Sequence, residues 1–64
     1  MRENLIKWEK DNGYVAKWVA DKIGIHETTY CLIKKGKRTP IFDFAYKFLE
    51  AFPDADIIEL MRKF

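Results

Sequence analysis

Glycine and proline fall at nearly even intervals along this chain, and their spacing restricts what it can fold into. Asn12-Gly13, Gly24, Gly36, Pro40 and Pro53 divide the 64 residues into pieces of about ten. None of these pieces alternates at period two, and most repeat apolar residues at helical spacing. Residues 2–11 gather Leu5 and Trp8, with Ile6 beside them, away from Arg2, Glu3, Lys7 and Lys10. Residues 14–23 align Val15, Val19 and Ile23, with Ala20 alongside. Residues 26–35 turn Tyr30 and Ile33 inward and stop at Gly36, a residue suited to a left-handed helix cap. Pro40 suits the first turn of a helix over residues 40–52, whose stripe is Ile41, Phe44, Ala45, Phe48, Leu49 and Phe52. Pro53 interrupts it and Asp54 is placed to cap a last helix, residues 55–63, carrying Ile57, Leu60, Met61 and Phe64. The expectation is an all-α fold of five helices in one domain.

Composition removes several classes of function. One Cys cannot form an internal disulfide, and with one His it cannot complete a four-ligand zinc site. No apolar run reaches the ~18 residues of a membrane span, and the mixed charges after Met1 are not those of a signal peptide. No nucleophile, base and orienting group are spaced to form a catalytic constellation. The chain is therefore expected to be a cytoplasmic non-enzyme with no metal, cofactor or small-molecule ligand. A domain of this size buries only ~60% of the surface its unfolded chain exposes. Two Trp, three Tyr and five Phe are a large aromatic load for so small an interior. Trp18 lies off the Val19/Ala20 face, and the helix over 40–52 is apolar on more than one side. A homodimer contact is expected there, through Ile41, Phe44 and Tyr46, with Phe64 joining from the last helix.

The segment from Val19 to Gly36 carries the functional signal. Two helices crossing steeply over a three- or four-residue turn need a small residue at the crossing, and Ala20 supplies it. Four positions later the turn needs a residue tolerant of positive φ, and Gly24 supplies that. Ile25 then plugs the interface, and Tyr30 and Ile33 follow at five and eight positions as inward residues of the second helix. Val19-Ala20-Asp21-Lys22-Ile23-Gly24, together with Ile33-Lys34-Lys35-Gly36-Lys37-Arg38-Thr39-Pro40, resembles the helix–turn–helix of the Cro/cI family of phage repressors and related bacterial regulators. The resemblance runs from about Leu5 to Leu60. It implies a lambda-repressor-like domain whose third helix enters the DNA major groove, as a two-fold dimer on a near-palindromic operator. With no effector domain expected beyond residue 64, the chain is closest to the short Cro-type repressors. Relatives often open the second helix with Ser-Gln or Thr-Gln, where this chain has Val15-Ala16; that cap and phosphate contact are expected to be missing or replaced, with Lys17 the candidate replacement. His26 stands where Ser often opens the reading helix, with Thr28 and Thr29 as alternative caps.

Stepping 100° per residue from Tyr30 and Ile33 points Thr28 and Lys35 directly away from the core. Cys31 and Leu32 flank them, Glu27 and Thr29 lie further round, and Lys34 falls back toward the domain. Glu27, Thr28, Thr29, Cys31, Leu32 and Lys35 are the candidate base-reading residues. Thr can donate or accept, Glu accepts from cytosine N4, and Leu covers a thymine methyl. Residues 34–38 hold four of the twelve basic residues and no acid, leaving 8 basic against 10 acidic residues elsewhere. Lys37, Arg38 and Thr39 are accordingly the phosphate candidates, with Lys17. Some relatives pair a base on the first helix with an acid at the end of the third. Here Glu9 and Lys34 carry the opposite signs and are expected to pair. Two alternatives use the same fold: a protein-binding adaptor or antirepressor with Trp18 and the fourth-helix aromatics as hot spots, and a DNA-binding excision or replication accessory protein.

Overall fold

A computed structural model of the chain describes residues 1–40 and 42–62. Among them are five helices and no strand: α1 (Glu3–Asn12), α2 (Ala16–Ile23), α3 (Glu27–Lys34), α4 (Phe42–Ala51) and α5 (Ile57–Leu60). Glycine ends the first two. Gly13 closes α1, and the Tyr14 N–H donates to the Glu9 carbonyl at 2.8 Å. Gly24 closes α2 at φ 91°, and the N–H groups of Gly24 and Ile25 both donate to the Ala20 carbonyl, at 2.9 and 3.0 Å. That geometry satisfies carbonyls a helix end would otherwise leave unpaired. It also turns the chain within three residues, so α3 packs back on α2.

Helix starts are less conventional. Val15 holds the cap position of α2 in extended conformation with no side-chain bond, as the missing Ser or Thr implies. The last helix begins later and is shorter than its apolar pattern suggests. Pro53 and Asp54 form a turn, so Asp56 and not Asp54 caps α5, its Oδ1 accepting from the Glu59 N–H at 3.3 Å. Pro40 precedes α4 instead of opening it.

The core consists of Leu5, Val19, Ala20, Ile23, Tyr30, Ile33, Phe44, Phe48 and Leu60. Phe44, expected at a dimer contact, belongs to it and is 4% exposed. With Phe44 and Phe48 pointing inward, Leu49 lies 100° past Phe48 and comes out at the border, 38% exposed. Beyond this core the aromatic excess forms one chain of rings. Trp8 contacts Tyr14, Phe48 and Phe52 at centroid distances of 5.3, 5.2 and 5.0 Å, and Trp18 stacks on Tyr14 at 4.7 Å. These are favourable tilted and edge-to-face geometries. The domain therefore absorbs most of the rings, leaving Phe42 and Tyr46 on α4 in solvent and Trp18, though stacked on Tyr14, 43% exposed. No described helix is long and apolar enough to cross a membrane.

Replacing Gly24 by Ala tests the turn. An added Cβ meets nothing within 4 Å, so only the left-handed backbone is penalised. Gly24→Ala is expected to cost about 1–2 kcal/mol in denaturant unfolding without changing the fold.

Candidate nucleic-acid interface

The roll of α3 about its axis determines which residues face outward, and a buried charge network sets that roll. Tyr30 is fully buried and Ile33 nearly so. Glu9 of α1 is itself 7% exposed and takes hydrogen bonds on both carboxylate oxygens. The Tyr30 hydroxyl donates to Oε2 at 2.6 Å, and Lys34 Nζ donates to Oε1 at 2.8 Å. The expected Glu9–Lys34 pair is thus present, with a phenol added to it. Burial, then the bond to Glu9, pushes the Tyr30 hydroxyl far above its ordinary range, so it remains a donor. No buried side-chain polar atom among the described residues lacks a partner.

With its inner side held this way, α3 exposes Glu27, Thr28 and Lys35, while Thr29, Cys31 and Leu32 are half-buried along its edges. The two edges differ. At the N-terminal edge, Lys17 and Asp21 of α2 share a groove with Gly24, Ile25, His26 and Glu27. On the other side, Thr29 lines a cavity of about 100 Å³ with Arg38, Thr39 and Asp43, floored by Ile25, Ile33 and Phe44. Lys37, Arg38 and Thr39 are all exposed in the loop that follows. Of the predicted base-reading and phosphate residues, Lys17 and Glu27 thus share one groove, and Thr29, Arg38 and Thr39 share one cavity. Among the described residues, no carboxylate pairs with Lys17, Lys35, Lys37 or Arg38, whereas Lys34 is committed to Glu9.

Two further residues support this surface: His26, already placed at the opening of the reading helix, and Arg2, which sequence patterns do not reveal. His26 caps α3 through Nδ1, which accepts from the Thr28 N–H at 3.3 Å, so neither threonine is needed as a cap. Arg2 is 5% exposed and donates to the carbonyls of Ile33, Arg38 and Met61. Its partners are 31 to 59 residues away, beyond any local pattern. Of the dimer candidates, Tyr46 is 60% exposed, and the Glu50 carboxylate raises its hydroxyl pKa through a hydrogen bond. Phe44 is in the core, and Ile41 and Phe64 lie outside the described residues. Cys31 is a free thiol. Among the described residues, no three His, Cys, Asp or Glu side chains are grouped to hold a metal.

The chain matches no protein-family model, no curated protein and no solved structure.

The Tyr30–Glu9 bond has a signature in pH. An unfolded Tyr loses its proton near pH ~10, while the folded one keeps it well above that. Folded protein then binds more protons than unfolded, and stability must fall as pH rises past about 10, by up to ~1.4 kcal/mol per unit. In Tyr30→Phe, this part of the alkaline loss should disappear, and stability at neutral pH should fall by about 2 kcal/mol for the missing bond to a charged acceptor. Urea unfolding of both proteins between pH 7 and ~11 checks the two statements.

Proposed function

We propose that this protein is a sequence-specific DNA-binding regulator of transcription, most like a short Cro-type repressor. In this reading α2 and α3 act as a lambda-repressor-like helix–turn–helix, with α3 in the major groove. One observation carries it: α3 and its C-cap show an uncovered polar face, Glu27–Thr28–Lys35, flanked by Lys17 on the α2 side and by Lys37 and Arg38 in the following loop, none of these cations paired with a carboxylate among the described residues. Duplex DNA presents matching chemistry, base edges in a groove bordered by two rows of phosphate. Thr28 and Lys35 reach base edges first, Glu27 accepts from cytosine N4, and Leu32, Cys31 and Thr29 contact the groove walls. Lys17, Lys37, Arg38 and Thr39 hold phosphates and set the register of the helix without reading sequence. Bound at a promoter, such a domain excludes polymerase by occupancy; the same surface would equally serve an excision or replication accessory protein.

Two copies reading half-sites ~34 Å apart would explain a second feature. Phe42, Tyr46 and Leu49 recur at i, i+4 and i+7 on the outer side of α4 and are 89, 60 and 38% exposed. An apolar stripe of this kind suits self-association. It also favours the competing reading, an adaptor that binds another protein through the same helix.

Selection of bound sequences from random duplexes tests the proposal, and should return a two-fold-symmetric site. Thr28→Ala should lower the preference for that site by roughly 5- to 150-fold, the value of one good base contact. Lys37→Ala should weaken all duplexes alike and reduce the salt slope by about 0.9. No binding to any duplex in dilute salt would leave the adaptor reading.

For the dimer, Phe42→Ser combined with Tyr46→Ser should leave the melting temperature nearly unchanged at concentrations where the parent is monomeric, since both side chains are in solvent in the single chain. The same variant should sediment as a monomer at concentrations where the parent self-associates. A parent that is monomeric throughout, with and without DNA, refutes this contact.

A further inference from the structure

Arg2 lies outside the surface assigned to DNA, yet its bonds meet at the foundation of that surface. The last four carbonyls of α3 have no partner within the helix. The Cys31 carbonyl accepts from the Lys35 N–H, and the Leu32 carbonyl accepts from both the Lys37 and Arg38 N–H groups. The Ile33 carbonyl accepts from the Gly36 N–H and from Arg2 Nη1, the latter at 2.6 Å. The Lys34 carbonyl accepts from the Arg2 backbone N–H at 2.9 Å. The guanidinium then extends past the helix. Nη1 also donates to the Arg38 carbonyl at 3.3 Å, and Nε donates to the Met61 carbonyl at 3.1 Å. One side chain therefore ties the end of α3, the basic loop and the segment after α5 together. A planar fork of fixed donors can do this, and a single ammonium cannot.

We propose that Arg2 is a positioning residue for the phosphate-contacting loop. By holding the Arg38 carbonyl against the Ile33 carbonyl, it fixes the path of Lys37, Arg38 and Thr39 beside the outer face of α3. It never touches DNA; its effect passes through the loop. The proposal builds on the DNA reading above and adds a long-range determinant to it. It also explains why an arginine is buried here without a carboxylate partner among the described residues: the negative end of the α3 dipole and three carbonyls stand in for one.

Arg2→Met and Arg2→Lys, compared with the parent, test it by two measurements at a temperature where circular dichroism shows each protein folded. The first is amide hydrogen exchange at Lys37 and Arg38, whose N–H groups bond the Leu32 carbonyl. The second is the salt dependence of binding to a mixed-sequence duplex. Arg2→Met is expected to raise both exchange rates at least tenfold relative to α2 amides and to reduce the salt slope by about 1–2, the loss of one or two phosphate contacts. Arg2→Lys should recover part of the thermal stability but not the slope. A merely structural Arg2 would lower the melting temperature and leave the slope of the folded protein unchanged, which would overturn the proposal. Should Arg2→Met fail to fold, Arg2→Lys alone decides by the same two readouts. If the parent binds no duplex, the DNA reading fails on its own; faster exchange in the variants would then make Arg2 a part of the fold and nothing more, and the positioning role falls with it.

Discussion

A single carboxylate, that of Glu9, fixes the rotation of the helix that matters most. Burying an ionised carboxylate is costly unless its lone pairs are used. Here one oxygen takes the Tyr30 hydroxyl and the other the Lys34 ammonium. Both donors come from α3, one turn apart on its inner side. Rolling α3 by a single residue step would remove both bonds at once and leave the charge stranded. The outward direction of Thr28 and Lys35 is the geometric complement of that constraint. Burial of Tyr30 in the apolar core alone would tolerate some rotation, because apolar packing is not directional. Two charged hydrogen bonds to one small group tolerate little.

What was legible in the sequence follows from how local each signal is. The α2–turn–α3 unit could be read because its determinants, Ala20, Gly24, Ile25, Tyr30 and Ile33, lie within fourteen residues and act through helical period and turn geometry. The Glu9–Lys34 pair was foreseen only because a related pairing of opposite polarity suggested it; the phenol completing it was read merely as an inward residue. Arg2 gave no sign at all. At the start of an amphipathic helix it looks like any solvated base, and its bonds go to main-chain carbonyls that carry no residue identity. Side-chain-to-carbonyl contacts at such separations lie beyond pattern reading in principle.

The fourth helix shows a different limit. Phe42, Phe44, Ala45, Tyr46, Phe48 and Leu49 cover more than half of its circumference, with Asp43, Lys47 and Glu50 on the remaining side, so the period does not say which of the aromatic residues are buried. Phe44 is counted both in the apolar stripe with Phe48 and as a dimer contact, and the structure buries it beside Phe48. The capacity of the interior was also underestimated. Rings pack edge to face, and Trp8 alone meets three others at 5.0–5.3 Å. Counting aromatic residues against the size of the chain overstated the surplus. On α4 what stays exposed is the short stripe Phe42–Tyr46–Leu49, and on α2 the outer part of Trp18.

The charges are divided by a similar economy. Of the basic residues at and beyond the end of α3, Lys34 goes to a buried carboxylate, while Lys35, Lys37 and Arg38 remain without one among the described residues. From the opposite end of the chain, Arg2 is taken inward as well. Both internal cations sit at the C-terminal end of α3, where the helix dipole is negative and the final carbonyls need donors. They neutralise that end locally, so the outer lysines and Arg38 are not drawn back onto the helix to do so. Cations that fold the domain and cations that project a positive field are therefore different residues separated by a few ångströms. That division lets a chain with a net charge of only +2 keep Lys35, Lys37 and Arg38 close together with no carboxylate paired to them among the described residues. The internal pair should be insensitive to salt and the outer set strongly dependent on it, because screening acts on exposed charges and much less on buried ones.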